Sequence, residues 1–201
     1  MYPLLLAGGR SSRMGSRKEL LCLTNDIPIY EQQLLRLHRA FPDTQIFLSL
    51  PTPRALAEIT TNPRVEHLTQ NTLRLGHQSS SILVEGIYDH SDEPLESAET
   101  GIGPAAGLLA AHRRDRSATW LVVACDYPFF DIAAINHLSD RATGDATCFE
   151  NEEGIYEPLL GVWTPPALKL LEENVNKGIL GPKSVVLKLE LVVQHEYTGG
   201  V

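Results

Sequence analysis

Two stretches of the sequence carry residues whose types and spacing suit phosphate chemistry. In the first, an apolar run from Pro3 to Ala7 meets Gly8 and Gly9, and a polar segment with Arg10, Arg13, Arg17 and Lys18 follows. An apolar run that stops at paired glycines reads as a buried strand ending in a loop. Glycine has no Cβ, so backbone N–H groups can turn toward a ligand and let it come close. Such concavities bind anions, and Arg13 and Lys18 add full charges. That is the chemistry of a nucleoside triphosphate. In the second stretch, the continuously apolar run Thr119 to Cys125 ends at Asp126-Tyr127-Pro128. A carboxylate just past the carboxyl end of a central strand sits where open α/β sheets bind ligands. Asp126 could instead cap the following helix. Asp131, one step before Ile132, is the better N-cap and leaves Asp126 for other work.

The glycine stretch is not the common phosphate loop. Five residues separate Gly9 from Gly15, and Lys18 stands three beyond Gly15, whereas that loop needs four between its glycines and a lysine directly after. A turn with solvated cations is the alternative. Gly101-Ile102-Gly103-Pro104-Ala105-Ala106-Gly107 is not a dinucleotide fingerprint, because no strand precedes it. It reads as a loop feeding a helix at Pro104, with Ala105, Leu108, Leu109 and His112 inward.

These residues need a scaffold. The chain has 201 residues, 43% apolar and 21% charged, enough for one domain with a large core. A net charge of -8 argues against nucleic acid and anionic membranes, which call for basic patches. Three widely spaced cysteines, Cys22, Cys125 and Cys148, fit free buried thiols in a reducing compartment. No signal peptide or membrane-length apolar run is read, so a cytoplasmic location is expected.

Apolar spacing predicts a helix over Ile27 to Phe41 and strands at Gln45–Leu50 and Arg64–Leu68. Ser79 to Asp89 reads as a helix with Ile82, Leu83, Gly86 and Ile87 on one side. Residues 92–99 read as an acidic surface loop. Strands follow at Thr119–Cys125, Asp145–Phe149, Glu157–Trp163 and Leu191–Tyr197, with helices between. This alternation predicts a mostly parallel sheet with right-handed crossovers.

Three ordered signatures then resemble the MobA-like nucleotidyltransferases. They are Leu6-Ala7-Gly8-Gly9-x-Ser11-x-Arg13-Met14-Gly15-x-x-Lys18, then Gly103-Pro104-x-x-Gly107-Leu108, then Cys125-Asp126-x-Pro128. Glu157-Pro158-Leu159 resembles the family's segment facing the second substrate. The resemblance spans residues 3 to 197. It implies a single domain, 1–201, with the Rossmann-like three-layer αβα sandwich of nucleotide-diphospho-sugar transferases.

The implied reaction moves GMP from GTP to the terminal phosphate of molybdopterin and releases pyrophosphate. Asp126 would hold Mg²⁺, while Lys18 and Arg13 would act on the β- and γ-phosphates. Leu6, Ala7, Gly8 and Gly9 would take the nucleotide, and Gly103, Pro104, Gly107, Glu157 and Pro158 the acceptor. Transient contacts with molybdoenzymes or other cofactor-biosynthesis proteins would follow. A phosphate monoester with a second pKa of about 6 is largely dianionic at neutral pH, so no general base is required. What the reaction needs is charge neutralisation and in-line positioning, to which Mg²⁺ is suited.

Within the family, Leu-Ala-Gly-Gly accompanies GTP and Leu-Ala-Ala-Gly accompanies CTP, so Gly8 favours GTP. Guanylyl members also carry an Asn near the end of the second strand and an Asp just after the third. The first position falls at about Ser49. After a third strand at Arg64–Leu68 there is no Asp, and Asn71 is the candidate. The stretch Gly76-His77-Gln78-Ser79-Ser80-Ser81-Ile82 is similar to a Ser-rich segment of cytidylyl members. Cytidylyl or sugar-phosphate transfer, and a non-catalytic nucleotide-binding module, therefore stay open.

Overall fold

The structure is a computed structural model, and it describes residues 1–8, 17–24, 26–59, 61–77, 80–89, 102–151, 153–189 and 192–194. In chain order the first half gives β1 (Tyr2–Leu6), β2 (Cys22–Thr24), β3 (Ile27–Pro28), α1 (Ile29–Ala40), β4 (Ile46–Leu50), α2 (Pro53–Ile59), β5 (Val65–Thr69), β6 (Thr72–His77) and β7 (Ser80–Tyr88). The second half gives α3 (Pro104–Arg114), β8 (Trp120–Ala124), α4 (Ile132–Asp140), β9 (Ala146–Glu150), β10 (Tyr156–Trp163), α5 (Pro165–Asn176), α6 (Lys183–Val186) and β11 (Val192–Gln194).

Among the described residues, nine strands form one sheet in the order β11-β9-β10-β8-β1-β4-β7-β6-β5. Its centre, β8-β1-β4-β7, is parallel. Both flanks turn antiparallel, at β10 on one side and at the β5–β6 hairpin on the other. The sheet is thus mixed, with a parallel centre and one further parallel pair, β11–β9, at an edge.

Side chains alternate across each strand, which explains the layers. Leu5, Leu48 and Val123 face one side with Leu34 and Leu37 of α1, Leu56 of α2 and Leu138 of α4. Leu4, Leu6, Phe47 and Val122 face the other with Leu108 of α3, Leu168 of α5 and Val185 of α6. A strand covered on both faces must be apolar throughout, as β1 and β8 are. Each fully buried Leu or Val contributes about 1.5–3 kcal/mol, so the central strands supply much of the burial that holds the fold together. Asp131 caps α4, its carboxylate accepting from Ala134 N at 2.9 Å.

Ser80–Tyr88 is a strand, not the helix expected from its spacing. It pairs in parallel with β4 along its whole second half, from Val84 to Tyr88. The backbone hydrogen bonds offered by β4 and β6 on its two sides override a weak helical pattern. The third parallel strand is therefore β7. The segment expected in that role, here β5, returns as a hairpin and ends as an edge strand. Cys148 and Cys125 are buried as expected, but Cys22 is exposed.

Candidate active site

The carboxyl ends of the four parallel strands lie level and open into one cavity. The ladder runs on past the strands: Ala7 N donates to Ser49 O (2.9 Å), Cys125 N to Leu6 O (3.0 Å) and Asp89 N to Leu50 O (3.0 Å). Four neighbouring strand ends, those of β8, β1, β4 and β7, are thus tied together by three backbone bonds, and each presents a residue to the cavity. The walls are Leu6, Ala7 and Gly8 from β1, Ser49 from β4, Asp89 after β7, Ala124, Cys125 and Asp126 after β8, and Leu159 from β10. Gly103, Pro104 and Gly107 of the α3 entry close one side, and Glu19 another. The volume is about 360 Å³, within the roughly 300–1,000 Å³ of small-molecule sites.

Two glycines are needed for close approach. A Cβ at Gly107 would stand 2.5 Å from Ser49 Oγ and 2.8 Å from Leu6 Cδ2, so its absence lets α3 seat against β1 and β4. A Cβ at Gly8 would meet Pro51 at 3.3 Å and Asp89 Oδ2 at 3.5 Å, which puts the Asp89 carboxylate beside the end of β1. Gly103 has a φ of 61°, a left-handed conformation that lets the chain enter α3.

Among the described residues, three acidic side chains line the cavity: Asp89, Asp126 and Glu19. Glu19 is buried and accepts from Arg17 Nε at 2.6 Å, while Arg17 also pairs with Glu58 of α2 at 2.5 Å. Arg17 belonged to the predicted cation cluster; its charge is committed to these two carboxylates. Ser49 Oγ lies 3.3 Å from Asp89 Oδ1. Burial pushes the Cys125 thiol far above its usual range, and the nearby Glu19 and Asp126 carboxylates push it the same way. Both effects favour the neutral thiol over the thiolate. An acidic wall open to solvent at Asp126 fits a hard divalent cation, because Mg²⁺ takes one or two carboxylates together with phosphate oxygens and water.

Of the residues read from sequence, Leu6, Ala7, Gly8, Gly103, Pro104, Gly107 and Asp126 come together in this cavity. Gly9 and Arg13 lie outside the described residues, as does the side chain of Lys18. Asn71 is not in the cavity. It sits exposed on the β5–β6 turn, its carbonyl accepting from Gly86 N at 2.7 Å. The position after the third parallel strand belongs to Asp89, because that strand is β7.

Glu157 and Pro158 also stand outside the lining. The β10–β9 register shifts between Glu157 and Gly161, and a proline lacking N–H suits such a bulge. The bulge sends Leu159 inward instead. Glu157 accepts from the Tyr127 hydroxyl, and Pro158 O from Trp163 Nε1 at 2.8 Å. Burial raises the Tyr127 phenol, and the bond to Glu157 raises it further. Glu19 and Asp89 were missed by sequence reasoning. The only signal for Asp89 was its place after a β-branched run.

An open α/β sheet whose parallel strand ends share one carboxylate-lined cavity defines a nucleotide-binding class of domain. The chain belongs to the MobA-like NTP transferase domain family, which matches residues 3–191, and so to the nucleotidyltransferases. It is 26% identical over 189 residues to a molybdenum cofactor guanylyltransferase of Pseudomonas fluorescens, covering 93% of this chain and 79% of that protein. It is 33% identical over 102 residues to a molybdenum cofactor biosynthesis bifunctional protein of Synechocystis, covering 46% of this chain but only 29% of that relative. Among solved structures, molybdopterin-guanine dinucleotide biosynthesis protein A of Archaeoglobus fulgidus superposes with a TM-score of 0.66 at 21% identity, covering 96% of this chain and 83% of that one. That likeness shows the shared fold. No helix among the described residues is long and apolar enough to cross a membrane.

Proposed function

We propose that this protein transfers GMP from GTP to the terminal phosphate of a molybdopterin-type acceptor, releasing pyrophosphate, in the cytoplasm. The observation that carries the reading is Asp89, at the end of the third parallel strand and beside Gly8. A carboxylate is acceptor-only. Guanine offers two adjacent donors, N1–H and the 2-amino group, and can give both to one carboxylate. Cytosine and adenine present a ring-nitrogen acceptor at that place, which a carboxylate repels. A relative named as a molybdenum cofactor guanylyltransferase along nearly the whole chain supports the same base.

In this reading the N–H groups from Gly8 onward, with Arg13 and Lys18, hold the triphosphate and stabilise the leaving pyrophosphate. Asp126 would hold Mg²⁺, which supplies charge neutralisation at the α-phosphate. Leu6 and Ala7 lie against the nucleoside, and the α3 entry with Leu159 bounds the acceptor side. The acceptor phosphate arrives dianionic, so the residues need only align it in line. The test is pyrophosphate release by purified protein with Mg²⁺, molybdopterin and each nucleoside triphosphate in turn. Turnover confined to GTP is expected. Turnover with CTP, with a sugar phosphate as acceptor, or with no pair tried, overturns the reading.

A further inference from the structure

We infer that Gln33 and Arg36, on α1, are positioning residues for Asp126; this rests on the proposed transfer, in which Asp126 holds Mg²⁺. The chain leaves β8 at Asp126 and passes through Tyr127, Pro128 and Phe130 before Asp131 caps α4. The carbonyls of that loop point at α1. Gln33 Nε2 donates to Tyr127 O at 2.5 Å. Arg36, one turn further along, donates to Pro128 O at 2.5 Å and to Phe130 O at 3.3 Å. On the opposite side the Tyr127 hydroxyl donates to Glu157 of β10. The residue directly after Asp126 is thus held by its carbonyl from one side and by its ring from the other.

Neither α1 residue lines the cavity, so neither touches nucleotide or metal. Gln33 is nonetheless fully buried, on a helix seated in the core by Leu34 and Leu37. Its Oε1 finds no hydrogen-bond partner among the described residues. A buried amide half-satisfied in this way is a cost that a methionine of similar volume would avoid. Holding the Tyr127–Pro128 peptide, the next one along from Asp126, is the compensation. Asp126 is itself exposed, and its carboxylate starts from a backbone that runs straight into this held loop, so shifts of the loop are passed on to its direction. Outer partners of this kind set how well a ligand residue meets its metal.

The test measures GTP binding by calorimetry with and without Mg²⁺, with no acceptor and hence no turnover. The quantity read is the factor by which Mg²⁺ tightens GTP. Gln33→Met removes the donor and the unpartnered oxygen together and keeps the volume. That factor is expected to shrink about tenfold, the low end for outer partners of metal ligands, with the metal-free GTP affinity unchanged. Arg36→Met, at a half-buried position, should act likewise and leaves the buried amide in place. Arg39→Met, exposed on the same helix, should change nothing. In an Asp126→Asn background Gln33→Met should have no further effect, since both act through one carboxylate. A folded Gln33→Met or Arg36→Met protein with the wild-type Mg²⁺ factor overturns the inference, as does an effect that persists without Asp126. Wild-type protein whose GTP affinity ignores Mg²⁺ overturns the transfer reading itself, so the two failures are distinguishable.

Discussion

Replacing Gly107 with alanine tests how closely α3 sits on the sheet beside the cavity. In an open helix the change stabilises, by about 1 kcal/mol, because alanine is the better helix former. Here the new Cβ would stand 2.5 Å from Ser49 Oγ and 2.8 Å from Leu6 Cδ2. The Leu6 methyl can swing away. Ser49 is buried and lies against Asp89, so either its hydroxyl leaves that contact or α3 lifts. Overpacking of this kind costs roughly 1–3 kcal/mol. With a contact this short the upper half applies, and the net loss is about 1–2 kcal/mol. A chain of this size loses about 2–4 °C per kcal/mol, so Tm should fall by about 2–8 °C in calorimetric melts. The companion is Gly107→Ala with Ser49→Ala. With the hydroxyl gone, the nearest Ser49 atom is its Cβ at 3.4 Å, an ordinary contact, and the alanine should cost nothing. A rise in Tm for Gly107→Ala alone would refute the close seating.

Three further outcomes follow from the site and its surroundings. Inosine triphosphate lacks the 2-amino donor, so wild-type protein should prefer GTP over it by about tenfold or more, the value of one charge-assisted hydrogen bond at roughly 1.5–3 kcal/mol. Asp89→Asn should bring the kcat/KM ratio of the two nucleotides close to one, and an unchanged ratio removes Asp89 from base recognition. His112 is buried in α3 with an Nδ1 that has no hydrogen-bond partner among the described residues. Burial holds its pKa below the ordinary value and Arg116 lowers it further, against an opposing pull from Glu172. The neutral form is thus favoured in the fold, so its contribution is full above the ordinary histidine range of about 6.5 and declines as pH falls below it. Tm should drop from about pH 7 to about pH 5, and His112→Leu should remove part of that slope. Finally, burial pushes the Cys148 thiol to about 12 and the Cys125 thiol higher still, whereas Cys22 is exposed. Native-state alkylation followed by mass mapping should label Cys22 first, and early labelling of Cys125 contradicts the packing described.

The strand ends and helix entry that meet at the cavity were legible in the sequence because they depend on local patterns. A strand stopping at Gly8, a strand stopping at Asp126 and a proline-led helix at Pro104 each announce themselves within a few residues. Their convergence follows from topology, since parallel neighbours bring their carboxyl ends level. What sequence could not give were contacts made between distant segments. Glu19 reads as one more charge in a polar run, and only the fold shows it buried against Arg17. Glu157 and Pro158 match a pattern that faces a substrate. The bulge in β10 turns Glu157 to Tyr127 and gives the cavity Leu159 instead.

The consequential misreading was one of period. Ile82, Leu83, Gly86 and Ile87 fit a helical face, but Leu83 is 51% exposed while Ile82 and Val84 are 2% and 0%. Burial alternates there with period two, and the β-branched Ile82, Val84 and Ile87 agree with a strand. Taking this segment as a helix made Arg64–Leu68 the third strand and Asn71 the residue at its end. The hairpin then has no role, although it is what delivers the chain to β7 in the right direction. β5 and β6 run antiparallel, so the chain reverses twice and β7 leaves beside β4 in parallel with it. Once β7 is the third strand, the next residue is Asp89. Its N–H is fixed by Leu50 O, and its carboxylate lies beside Gly8. In the proposed transfer, base selectivity would therefore rest on a residue whose position is set by sheet pairing and by no local motif. Deleting the hairpin would unpair β7 on its outer side and disturb Asp89 while leaving Gly8 and Asp126 at the ends of their own strands. Nucleotide choice should fail before triphosphate binding does.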